Sequence, residues 1–143
     1  MSVEYKEVET INEFIDAIRI RVDVFIKEQK CEPGWEPDEG DKNSKQFIAL
    51  VDKKIVSTLR MRQTGDKEFK IERMATIREF RKKGITIGLV EFVVGSIKNL
   101  GPGIIWMQSQ VQAQKFYEKC GFAASSKPYN LYGIQHVDME YKK

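Results

Sequence analysis

Metal-binding side chains are the scarcest feature of this chain: one histidine, His136, and two cysteines, Cys31 and Cys120, in 143 residues. The cysteines are far apart and lack companion ligands at zinc-type spacing, so no metal is expected. Two isolated thiols also provide no disulfide framework, and a cytoplasmic protein with reduced thiols is the expectation. Long apolar runs are missing too. Nothing approaches the length of a membrane span, and the opening MSVEYKEVET has no signal-peptide character. The net charge is only +3, with basic residues scattered rather than striped, which argues against a nucleic-acid partner. Internal repeats, low-complexity tracts and interdomain linkers are absent, so residues 1–143 read as a single domain. What remains is ordinary globular material, 41% hydrophobic and 31% charged, long enough to bury a sizeable core.

The patterning predicts the elements. Residues 3–8 alternate loosely and predict a strand, and Thr10-Ile-Asn-Glu13 predicts a capping box. Ile11, Phe14, Ile15, Ile18, Val22, Phe25 and Ile26 recur at helical spacing, predicting a helix to about Lys30 that Pro33-Gly34 stops. The acidic loop 32–41 has no EF-hand spacing and is expected to be solvated or to face a substrate. Strands over residues 47–51, 55–61 and 69–76, joined by tight turns, predict an antiparallel meander. A helix follows Gly84, apolar nearly all round and so expected to be largely buried against a sheet. A strand over residues 104–107 then implies a parallel pair with a right-handed crossover. A short helix over residues 110–120, ended by Gly121, and a last strand near residues 132–139 complete an α+β fold with a mixed sheet.

One junction suggests chemistry. The strand ending at Thr76 runs through a basic turn, with Arg81, Lys82 and Lys83, into Gly84 and the long helix. A helix entered from a glycine turn aims its free N–H groups and its positive dipole end at the turn, which favours an anion. An ordinary strand–loop–helix connection with a solvated basic loop explains the same residues equally well.

Arg81-x-x-Gly84-x-Thr86 resembles the acetyl-CoA pyrophosphate loop of the GNAT (Gcn5-related N-acetyltransferase) superfamily, Gln/Arg-x-x-Gly-x-Gly/Ala, with Thr86 departing at the last position. Ala113-Gln-Lys-Phe116-Tyr117-Glu-Lys-Cys-Gly121-Phe122 resembles the same family's "A..FYEK.GF" signature. Arg21-x-x-Val24-Phe25-x-x-Glu28-Gln29, followed by Glu36, Asp38 and Asp41, is similar to the opening of a subgroup of small bacterial-type GNAT proteins, and Gly133-Ile134-x-His136 to its ending. These motifs stand in the family's order and cover almost the whole chain. The fold implied is the GNAT fold: a twisted, mostly antiparallel sheet with a central parallel pair, flanked by helices.

The resemblance implies an acetyl-CoA-dependent N-acetyltransferase, moving acetyl to a primary amine by direct attack in a ternary complex, with acetyl-CoA as cosubstrate and no metal. It implies Tyr117 as general acid beside the CoA sulfur, a phenol of pKa near ~10 being suited to a thiolate. It places Glu72 as the base, with desolvation raising its pKa. A solvated strand carboxylate is the competing reading of Glu72, and His136 is the rival base. Met74, Ala75 and Thr76 would pair with the pantetheine arm, the segment Arg81, Lys82, Lys83, Gly84, Ile85 and Thr86 would hold the pyrophosphate, and Gln110 would contact the CoA amide. Cys120 is read as a small buried hydrophobe. Glu28, Gln29 and Arg60 are substrate-side candidates, Arg60 for a phosphate or carboxylate or else as a solvated strand residue. The subgroup includes hexosamine and hexosamine-phosphate enzymes, so the acceptor reading leans to an amino sugar or its 6-phosphate (glucosamine-6-phosphate type), with polyamine, amino-acid and protein amines open. A non-catalytic CoA-binding or sensing module is the alternative, and a homodimer is the expected assembly by analogy with the family.

Overall fold

The structure, a computed structural model, describes residues 1–142. It begins with β1 (Val3–Glu7) and helix α1 (Ile11–Arg21). Thr10 caps α1: its hydroxyl accepts from the Glu13 N–H while the Glu13 carboxylate takes the Thr10 N–H, an arrangement worth about 1 kcal/mol. The helix predicted to run to about Lys30 changes register instead. Beyond Arg21 it winds as a π-helix, Val22–Glu28, closed by the Gln29 N–H on the Val24 carbonyl at 2.9 Å.

The meander follows as β2 (Ser44–Val51), β3 (Lys54–Gly65) and β4 (Glu68–Thr76), each longer than the apolar run that signalled it. Polar residues such as Arg60 and Arg62 belong to the ladders because their partner, Glu72, lies across on β4. Helix α2 (Ile85–Lys98) crosses over to β5 (Ile104–Gln110), which pairs parallel to β4 as expected. Helix α3 (Gln114–Lys119) is shorter than predicted, because residues Val111–Ala113 form a separate 3₁₀ turn. The chain ends with β6 (Phe122–Ala124), β7 (Tyr129–Leu131) and β8 (Ile134–Tyr141); three-residue strands such as β6 and β7 leave no periodic signal. The sheet order is β1-β2-β3-β4-β5-β8-β6, with β7 on β8, and every pairing except β4–β5 is antiparallel.

The two helices cover opposite faces. On one side Phe47, Ala49, Val51, Leu59, Met61 and Ile71 pack against α2. The all-round apolar reading of α2 needs correction: Ile85, Leu89, Val90, Val93, Val94 and Ile97 form the buried stripe, while Glu91, Phe92 and Gly95 face outward. Gly88 lets Tyr5 of β1 lie against the helix, since a Cβ there would stand 1.9 Å from the Tyr5 hydroxyl oxygen. On the other face Ile20 of α1 and Val24 of the π-helix pack with Ala75, Ile55 and Ile77. Arg60 of that face is thus covered by the loop that follows α1 rather than left to solvent, while Arg62 stays partly exposed beside Glu72.

Candidate active site

A β-bulge opens the sheet. Thr58 pairs with Ala75 and Arg60 with Glu72, so Arg73 and Met74 together face the single residue Leu59. Arg73 adopts a left-handed conformation, φ 54°. The bulge turns β4 away from β5, and their parallel ladder is confined to residues Glu68, Phe69 and Lys70 against Ile104, Ile105 and Trp106. Past that point β4 continues to Thr76 and β5 to Gln110 without pairing to each other. Among the described residues, nothing pairs with that edge of β4 beyond Lys70. A wedge with a free strand edge can take an extended ligand by β-like hydrogen bonding, which is the role expected of Met74, Ala75 and Thr76.

Tyr117 stands at this wedge. It comes from α3, and its hydroxyl lies 3.9 Å from the sulfur of Met74 on β4. Its ring meets Phe116 edge-on at 5.2 Å. Burial, with the Cys120 thiol as a lesser influence, pushes the phenol up to about 12, so it holds its proton throughout the physiological range. Cys120 itself is 4% exposed and packs as the small apolar residue expected.

The far end of the wedge is the glycine turn. Gly84 sits at φ 79° and caps α2 without a side chain, so the first-turn N–H groups of Ile85, Thr86 and Ile87 are offered to the turn. Lys82 and Lys83 are exposed there. The Thr86 side chain does not crowd this space. Its hydroxyl is 2.7 Å from that of Thr76, which is in turn 2.7 Å from that of buried Ser57, so it faces the sheet. Arg81 donates from Nε to the Thr76 carbonyl at 2.8 Å and from its two terminal nitrogens to the Glu28 carboxylate at 2.7 and 2.9 Å. Glu28, expected on the substrate side, is therefore brought to the anion loop, and Arg81 holds its carboxyl below the usual range. Gln29, beside it, is exposed. Gln110 ends β5 and accepts from the Gln112 amide at 2.8 Å.

Two expectations are corrected here. Arg60 is neither a solvated strand residue nor an open anion binder. It is 4% exposed and engaged by Asp38 at 2.5 Å, Asp41 at 3.0 Å and Glu72 at 2.5 Å. Glu72, expected to have a raised pKa, is also contacted by Arg62 at 3.0 Å and Lys70 at 3.1 Å. Burial alone would raise its pKa, but the hydrogen bond from Arg62 and the charge and hydrogen bond of Arg60 outweigh it and hold the group at about 2. Such a carboxylate is a weak proton acceptor.

The acidic loop, expected to be solvated or to face substrate, supplies the other half of this cluster. Arg21, fully buried, binds Glu36 and, at 2.8 and 3.0 Å, Asp41, which also takes the Gln46 amide at 2.9 Å. Arg73 reaches Asp38 at 2.8 Å, and its Nε lies 3.1 Å from Glu36 Oε1, too poorly aligned for a hydrogen bond. The signal in the sequence for this cluster is the spacing of Arg21, Glu36, Asp38 and Asp41, opposite charges within one family motif. Also unforeseen is a polar string across the sheet. Lys70 donates to Gln108 at 2.8 Å, Gln108 to the Tyr129 hydroxyl at 3.1 Å, and Tyr129 to Asp138 at 2.5 Å. His136 stacks on Tyr129 at 6.3 Å, and its Nδ1 lies 2.8 Å from the Ile134 carbonyl, which leaves Nε2 as the proton-accepting nitrogen.

Known proteins share this architecture. Residues 5–143 match the family described as an acetyltransferase (GNAT) domain. A Bacillus subtilis (strain 168) protein, whose description proposes an acetyltransferase, is 31% identical over 137 residues, covering 94% of this chain and 92% of its own. The crystal structure of an acyl-CoA N-acyltransferase from Pseudomonas aeruginosa superposes with a TM-score of 0.85 at 23% identity, covering 99% of this chain and 100% of its own. A Bacillus subtilis acetyltransferase solved in complex with CoA superposes at 0.69 and 17% identity, with 99% of each chain covered. The bulged, splayed sheet and the match across nearly every residue lead to one assignment: this chain belongs to the GNAT family of acetyltransferases.

Proposed function

We propose that the protein transfers acetyl from acetyl-CoA to the primary amine of a small molecule, by direct attack in a ternary complex. The observation that carries this is the wedge: a free β4 edge, a protonated Tyr117 hydroxyl beside Met74, and the α2 N-terminus at its far end. The neighbour solved with CoA supports the same reading, since it shares the fold. Residues Met74, Ala75 and Thr76 would pair with the pantetheine arm, and Arg81, Lys82, Lys83, Gly84, Ile85 and Thr86 would hold the pyrophosphate, with Gln110 near the arm's amide.

In the transfer, the amine nitrogen attacks the thioester carbon, the carbon–sulfur bond breaks, and Tyr117 gives its proton to the departing sulfur. The amine proton leaves through water. With Glu72 held at about 2, we assign it to orienting Arg60, Arg62 and Lys70 rather than to accepting that proton, and His136 Nε2 is the open acceptor on the β8 side. The non-catalytic alternative loses one of its two supports, because Thr86 turns its hydroxyl away from the loop, and the Gln110 substitution is the other. The phosphate-bearing amino sugar loses its strongest argument, because Arg60 is fully engaged. Acceptors without phosphate (polyamines, amino acids, peptide amines, unphosphorylated amino sugars) come first in a screen. A homodimer in the cytoplasm completes the proposal, with sedimentation as its check.

The test is a thermal-shift titration with acetyl-CoA, CoA and ATP, followed by thiol release from acetyl-CoA in the presence of each amine. Stabilisation by both CoA species and not by ATP, with amine-dependent thiol release, is expected. No shift at saturating acetyl-CoA would overturn the reading.

A further inference from the structure

Glu28 holds Arg81 in the way a pyrophosphate would. Its two oxygens take the two terminal nitrogens of Arg81, at 2.7 and 2.9 Å, and Arg78 approaches the same carboxylate at 3.7 Å. A guanidinium offers one such fork, matched to carboxylate and phosphate oxygens alike. The fork cannot easily swing aside to serve two anions, because Arg81 Nε is fixed to the Thr76 carbonyl at 2.8 Å.

We propose that Glu28 is a positioning residue for the CoA loop: an internal stand-in for the pyrophosphate that keeps Arg81 aimed in the free protein and is displaced when CoA binds. The proposal rests on the CoA reading above. Three observations carry it. The stand-in comes from outside the loop, fifty-three residues away in sequence, so the contact is not forced by chain proximity. The carboxylate is partly exposed, with 28% of its side-chain surface accessible, so releasing it to water is inexpensive. It is also the last residue of the π-helix Val22–Glu28, a winding uncommon enough to mark functional segments and able to shift by a local change of register.

The exchange has a direction. In the free protein, Glu28 reduces repulsion among Arg78, Arg81, Lys82 and Lys83, which crowd one short turn. In the bound protein, phosphate oxygens take over that neutralisation, and the displaced carboxylate must leave the Arg81 fork. Cosubstrate binding is thereby linked to the π-helix, the segment that leads into the Glu32–Asp41 loop and its ion pairs with β3 and β4. The cost of the exchange is paid in CoA affinity.

The experiment is calorimetric titration of the whole protein with CoA and with pantetheine, which lacks the pyrophosphate. Glu28→Gln keeps the side-chain size and removes the competing charge. It is expected to tighten CoA about 3- to 10-fold, to leave pantetheine unchanged, and to lose its advantage as salt is raised. Arg81→Ala is expected to weaken CoA, and in that background Glu28→Gln should have no further effect, because the competition needs both partners. Unchanged or weaker CoA binding by Glu28→Gln, or an equal effect on pantetheine, would overturn the proposal while leaving the CoA reading intact. Failure of the wild-type protein to bind CoA at all would overturn both.

Discussion

The two faces of the β3–β4 pair bear opposite kinds of chemistry. On the α1 side, Arg21, Glu36, Asp38, Asp41, Arg60, Glu72 and Arg73 form a dense ionic cluster, with Arg21, Glu36 and Arg60 all but removed from water. Beside Tyr117, in the wedge between β4 and β5, the surroundings are an unpaired strand edge and the Met74 sulfur, and the basic residues Arg81, Lys82 and Lys83 are confined to the far end. The cluster looks the more reactive and is the less so. Asp38, Asp41 and Glu72 are held in their ionised form by cations, whereas the wedge has a proton donor whose hydroxyl lies beside the Met74 sulfur. A shifted pKa marks a site only when the group retains an open side for substrate.

The largest expected effect breaks the wedge. Tyr117→Phe should lower turnover about 10²- to 10⁴-fold, the usual range for a positioned acid. Because the hydroxyl's hydrogen-bond contact among the described residues is the long 3.9 Å approach to Met74, melting temperature and CoA affinity should hardly change. With the phenol pushed up to about 12, the wild-type kcat profile should show no fall from its loss of a proton at neutral or mildly alkaline pH. A variant that retains full turnover would move the acid elsewhere.

Next in size is a break in the cluster. Arg21→Met leaves the buried carboxylates of Glu36 and Asp41 without their main cation, an imbalance that typically costs about 3–5 kcal/mol. Urea unfolding measures it. The contrast with Tyr117→Phe is the point: large loss of stability here, large loss of rate there. If Arg21→Met instead lowered kcat with stability intact, the division between the two faces would be wrong.

Acid sharpens the same division. Asp38, Asp41 and Glu72 all have folded-state pKa values below their unfolded values, and Glu72 falls from 4.5 to about 2. Each therefore adds stability that is complete above its unfolded pKa and is lost as pH falls through the folded one. The melting temperature should be flat above pH 5 and decline steeply between about pH 4.5 and 2. Arg60→Met should shallow that decline, since it removes the cation shared by all three acids.

Much of this was readable from the residues. The meander, the crossover and the parallel pair follow from periodicity and turn residues, and Tyr117 and the glycine turn follow from motifs whose order is fixed by the fold. The bulge was not, because nothing in Glu72-Arg73-Met74-Ala75 distinguishes a regular strand from one with a left-handed Arg73. The cluster was hidden for a different reason. Glu36, Asp38 and Asp41 lie in a Pro- and Gly-containing loop that by composition should be solvated, and only tertiary contact with Arg21, Arg60 and Arg73 buries them. Glu72 shows the consequence: its burial was foreseen, but the cations that reverse the direction of its shift come from Arg62 and Arg60 across the ladder and from Lys70 two residues before it.

The smallest effect tests where the two faces meet. Ser57, Thr76 and Thr86 share a chain of hydroxyl contacts, each 2.7 Å, that ties the end of β4 to the first turn of α2. Thr86→Val keeps the branched shape and deletes the hydroxyl, leaving Thr76 with Ser57 alone, for a loss of about 1 kcal/mol in stability. CoA affinity should be unchanged, because that hydroxyl faces the sheet and the loop uses the backbone N–H. Thr86→Gly gives the residue more usual in the pyrophosphate loop, but adds the conformational cost of a helical glycine, about 0.5–1 kcal/mol. If Thr86→Gly nevertheless tightened CoA strongly, the threonine would be crowding the phosphates after all, and the hydroxyl chain would be the force holding it in their way.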